Sequence, residues 1–160
     1  MARASQAVEL FATAAQDFEE RIRFNKATLF SWLCFVAEVR KNSSAELAAS
    51  ALASFVNEFE MRRSSARVGE QAEPLLLVFN DRASSRVADI SSVLARDFVL
   101  WYYWVKFGKL HGITLGLTDA QLASIREIAP AIKPPPPDVD LEVESALMET
   151  FARHRWGERL

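Results

Sequence analysis

The chain lacks most of what catalysis and disulfide stapling need. It has one cysteine, two histidines and five glycines in 160 residues. A single cysteine excludes an intrachain disulfide framework and fits an intracellular setting. Cys34 lies inside "LFSWLCFVAEV", and such an apolar setting favours a buried, unreactive thiol over a redox or catalytic one. His111 and His154 are far apart in sequence and lack the paired spacing of a zinc site. Long apolar runs are missing too: those at 29–39 and 98–107 are well short of the roughly 20 residues of a membrane span. The N-terminal stretch carries acidic residues from Glu9 onward and no unbroken apolar run, so it does not read as a secretory signal.

Excess charge of one sign is also absent. Nineteen basic and twenty-one acidic residues leave a net charge of −2, without the basic field of a generic nucleic-acid binder. "GKLHGITLG" at 108–116 follows a predicted helix and lacks the Lys-Ser/Thr ending of a phosphate loop. No G-x-S-x-G elbow occurs. Glu19 with Glu20 and Glu142 with Glu144 read as solvated helix charge rather than an acid–base pair. No catalytic residue, metal ligand or cofactor is expected, and the reading is of a protein that is not an enzyme.

What is present is helix-forming and apolar. Half of the residues are hydrophobic and a quarter charged, the composition of one folded domain. Scarce glycine with abundant alanine, leucine and glutamate predicts an all-α bundle of about six helices. Residues 1–129 form the bundle, 130–139 a proline-rich spacer with extended character, and 140–160 a last helix expected to dock on a neighbouring subunit.

Ser5 opens a first helix to about Arg23, with Val8, Phe11, Ala15, Phe18 and Ile22 on one face. Asn25 breaks or caps the chain before a second helix at 26–40, which is apolar nearly all round. Ser43 and Glu46 have the spacing of a capping box for a third helix ending near Arg63, with Leu52, Phe55, Val56 and Phe59 inward. A polar loop spans 64–74, and "LLLVF" at 75–79 suits a short extended segment or a helix equally. A long helix follows from Ser84 or Ser85 to Phe107, stopped by Gly108. Thr118 and Gln121 box the next helix, with Leu117 and Leu122 at the staple positions.

"RDFVLWYYWVKFGK" at 96–109 concentrates six aromatic side chains on one segment. Helical spacing puts Val87, Ile90, Ser91, Leu94, Phe98, Trp101, Tyr102 and Val105 on one side, the expected core stripe. Arg86, Asp89, Val93, Arg96, Leu100, Tyr103, Trp104 and Phe107 fall opposite. A helix facing one core needs a single apolar stripe, so the second face needs a cover. Another helix of the chain is one cover. A partner or a second copy is the other, making Leu100, Tyr103, Trp104 and Phe107 partner-binding residues together with Val143, Leu147 and Phe151 of the last helix. Single-stranded RNA or DNA is the third, with Tyr103 and Trp104 stacking on bases. Arg62, Arg63, Arg67, Arg82, Arg86 and Arg96 are the candidate phosphate contacts, drawn from "MRRSSAR", "NDRASSR" and the start of the aromatic run.

The order of two helices, an arginine-containing loop, a short apolar extended segment and a long helix opening "RVAD" at 86–89 resembles the coat proteins of rod-shaped plant viruses. The likeness spans about residues 45–108, and the aromatic run departs from it. It implies helical self-assembly around RNA through arginines, without catalysis. The functional expectation is therefore a non-enzymatic helical assembly protein, coat- or nucleoprotein-like, cytoplasmic, and either homo-oligomeric or a subunit of a larger complex. The alternative is a small adaptor or inhibitor that binds one protein partner and no nucleic acid.

Overall fold

The computed structural model describes residues 2–42, 47–66, 73–85, 87–115, 117–132 and 141–159. Among them the chain forms seven α-helices and no strand: α1 (Ala2–Ala14), α2 (Lys26–Asn42), α3 (Ala49–Ser65), α4 (Pro74–Ser84), α5 (Ile90–His111), α6 (Asp119–Ile128) and α7 (Leu141–Arg153). The 43–46 capping box, Arg67, Arg86 and most of the proline-rich spacer lie outside the described residues. Among the described residues no helix is long and apolar enough to cross a membrane.

α5 is the axis, in contact with α2, α3, α4, α6 and α7. Ser31 meets Arg96, and Phe35 meets Trp101, so α2 runs parallel to α5. Phe55 meets Phe107 while Phe59 meets Tyr103, so α3 runs antiparallel to it. Small residues on α5 admit this crowding, Ser91, Ser92 and Ala95 all being buried. The buried apolar side chains form a single cluster.

α1 is shorter than its periodicity predicts. A 3-10 turn at Ala15–Asp17 ends it, and Phe18 is extended. The Asn57 side chain of α3 holds the break, donating to the Asp17 carbonyl (3.0 Å) and accepting from the Glu19 amide (3.0 Å). Phe18 and Phe24 then fold back on Phe11, with ring centroids 5.3 and 5.7 Å away. The inward face is Ala7, Phe11 and Ala14, leaving Val8 exposed. Asn25 caps α2 by accepting from the Thr28 amide at 2.9 Å.

Residues 75–79 are helical. Pro74 sits in the first turn of α4, where its fixed φ and missing N–H cost nothing. Leu75, Leu76, Val78 and Phe79 are buried against α3 and α5. The long helix starts later and ends later than expected. Asp89 precedes its first turn, and Gly112 in the left-handed region (φ 66°) closes it, with the Ile113 amide returning to the Gly108 carbonyl at 2.9 Å. Gly108 is an interior residue whose lack of a side chain admits Leu115: an added Cβ would lie 2.2 Å from Leu115 Cδ2. Both arms of the Thr118–Gln121 box are present, at 3.3 and 2.8 Å. Of the features behind the coat-protein likeness, the segment at 75–79 is helical instead of extended, and Val87, Ala88 and Asp89 form a turn ahead of α5.

Candidate functional site

The second face of the aromatic helix is covered by the chain itself. Leu100, Tyr103, Trp104 and Phe107 are at most 5% exposed. Trp104 packs edge-on to Phe35 and Phe55, at 5.9 and 5.0 Å. Phe107 lies 5.3 Å from Phe55, and Tyr103 lies 5.6 Å from Phe59. The side chains read as partner-binding are thus packed within this chain: α2, running parallel, and α3, running antiparallel, turn Phe35, Phe55 and Phe59 toward them. The Tyr103 hydroxyl donates to Glu73 Oε2 at 2.7 Å. Burial first, then this bond, pushes its pKa far above the usual tyrosine range.

The last helix is also used internally. Phe151 and Trp156 pack on Phe98, at 6.2 and 5.1 Å, Leu147 is buried and Val143 half-buried. α7 thus lies against α5 of its own chain.

The arginines read as phosphate contacts differ in burial and in partners. Arg96 is 1% exposed; it donates to Ser31 Oγ at 2.9 Å, to the Val87 carbonyl at 3.0 Å and to the Arg82 carbonyl. Burial holds its pKa below the usual arginine value. Arg82 is 3% exposed and pairs with Glu144 of α7 and, at 3.6 Å, with Asp81. Arg63 grips Glu60 with two donors, at 2.8 and 2.6 Å, and Asn80 with a third. A buried guanidinium is tolerated only when carboxylates or carbonyls meet it; Arg82 and Arg96 are met in this way, and the half-buried Arg63 is committed to Glu60 and Asn80. Arg62 remains on the surface, 3.5 Å from Glu58 and 4.0 Å from Glu73. Arg67 and Arg86 lie outside the described residues.

Burial, then Asp97 and Glu38, pushes the Cys34 thiol upward. His111 lies 3.7 Å from Glu58 and His154 3.6 Å from Glu127. Among the described residues no group of three or more histidine, cysteine or carboxylate side chains could hold a metal ion.

The exposed apolar surface is elsewhere. Val87 and Ile90, which periodicity assigns to the core stripe, are 41% and 70% exposed, and Phe30 on α2 is 52% exposed. The turn at 87–89 lifts Val87 off the helix, and Ile90 begins α5 before the bundle covers it. One guanidinium joins these elements: Arg96 bonds both Val87 and Ser31, the neighbour of Phe30. The Asn25 side chain also donates to the Ala83 carbonyl at 2.9 Å. Leu29, Phe30, Val87 and Ile90 lie on the two elements joined in this way and are four of the seven exposed large apolar side chains among the described residues. Exposed Lys26 and Asp89 stand at the same end, and neither has an ion-pair partner among the described residues. The missed signal was a boundary: moving the start of α5 from 85 to 90 turns two core residues into surface.

Comparison with protein-family models, curated proteins and solved structures finds no match to this chain.

Proposed function

We propose that this chain is a non-enzymatic helical assembly protein that pairs with a second copy of itself through the end formed by the start of α2 and the turn into α5. The observation that carries the reading is the exposure of Ile90 (70%) and Phe30 (52%) in a chain whose other aromatic-rich faces are closed. Such side chains gain about 2 kcal/mol each when a partner covers them. The occupant follows from charge. A twofold interface sets one patch against itself, and an apolar centre with one unpaired lysine and one unpaired aspartate complements its own copy: Lys26 of one chain meets Asp89 of the other. Docking on a different protein is the competing outcome. Sedimentation analysis of the wild type and of a Phe30→Ser/Ile90→Ser variant separates the two, since a hetero-docking protein is monomeric alone. Contact with nucleic acid has less support: of the six arginines read as phosphate ligands, Arg96 and Arg82 are buried and Arg63 is committed to Glu60.

A further inference from the structure

The segment at 19–23 crosses α3 and leaves a half-open cavity of about 320 Å³, lined by Arg21, Arg23, Arg63, Asn57, Ile22 and Met61 among others. Its volume is at the lower end of small-ligand sites. Three guanidiniums share this wall with two carboxylates, and both carboxylates are occupied. Glu60 is 4% exposed and accepts from Trp32 Nε1 (3.0 Å) and from two Arg63 donors. Glu19 accepts from Arg21 Nε at 2.8 Å.

Arg23 is left over. Its Nη1 donates to the Glu20 and Ile22 carbonyls, the latter at 2.8 Å, and no carboxylate lies within ion-pair distance of it among the described residues. The remaining donors are therefore Nη1 and Nη2 of Arg21 and Nε and Nη2 of Arg23, none with a protein acceptor among the described residues. Forked donors with one uncompensated positive charge match a tetrahedral oxyanion. Ile22 and Met61 supply an apolar floor beside them.

We propose that this cavity binds a small phosphate monoester, the phosphate held by Arg21 and Arg23 and the body resting on Ile22 and Met61. Arg63 acts as a positioning residue, since its donors are taken by Glu60 and Asn80. The site stands apart from the proposed dimer end and does not depend on it.

The test is a ¹⁵N NMR titration of the full chain with phenyl phosphate, inorganic phosphate and a short oligodeoxythymidylate. Phenyl phosphate is expected to give saturable shifts confined to 19–23 and 57–64, with inorganic phosphate weaker at the same amides. Arg21→Gln and Arg23→Gln should each weaken binding about tenfold, and Arg62→Gln should leave it unchanged. Circular dichroism checks that the variants fold, and Arg21→Gln, whose residue makes no side-chain bond to the backbone among the described residues, serves where Arg23→Gln disturbs its loop. Scattered or non-saturable shifts overturn the proposal, as does wild-type affinity in both glutamine variants. Saturation by the oligonucleotide without phenyl phosphate binding overturns the small-ligand assignment in favour of a strand.

Discussion

Trp156, three residues past the end of α7, donates its indole N–H to Asp97 Oδ2 of α5 at 3.0 Å, with both residues buried. A carboxylate so placed is costly once a donor is withdrawn. Trp156→Phe, which keeps an aromatic ring against Phe98, is expected to lose about 2 kcal/mol in urea denaturation. An unchanged midpoint would show that the contact is incidental.

Arg62 and Arg63 are adjacent in sequence and opposite in role. Arg63→Ala strands the buried Glu60 carboxylate with Trp32 as its remaining donor, a loss of about 3 kcal/mol. Arg62→Ala breaks only exposed pairs at 3.5 and 4.0 Å, a loss of about 0.5 kcal/mol. Equal losses in the two variants would contradict the division of arginines into buried ties and surface charge.

Gly108→Ala drives a methyl group into Leu115 and crowds the Ile113 carbonyl, 3.3 Å away. The helical gain from alanine is about 1 kcal/mol, and the overpacking cost is about 2 kcal/mol. Thermal denaturation should therefore show net destabilisation. A more stable Gly108→Ala protein would mean that the 113–115 segment moves aside freely.

Tyr103 gives a pH prediction with a definite sign. Burial and Glu73 favour its neutral form, so its contribution is complete below the ordinary tyrosine pKa of 10.0 and falls as pH rises above it. Unfolding free energy measured across that range should decline with pH, and Tyr103→Phe should shallow the decline. An identical slope in the variant rules out this source.

The extent of sequence legibility follows from the kind of signal. Thr118 with Gln121 was readable because a capping box is local, two side chains bonding two nearby amides. The all-α class was readable from composition. The fate of Leu100, Tyr103, Trp104 and Phe107 was not, because a second apolar face looks the same whether another helix or another molecule covers it. Arg82 and Arg96 misled for a related reason: their partners Glu144 and Ser31 are distant in sequence, and an arginine does not announce in sequence that it is buried. The early end of α1 was hidden likewise, since Asn57 enforces it from α3.

Pairing through Phe30 and Ile90 is tested most directly by sedimentation equilibrium over a wide concentration range, wild type beside Phe30→Ser/Ile90→Ser. The wild type should pass from one chain to two as concentration rises, with the variant remaining a single chain at unchanged helicity. A wild type that stays a single chain throughout, or a variant that dimerises equally well, would contradict the assignment.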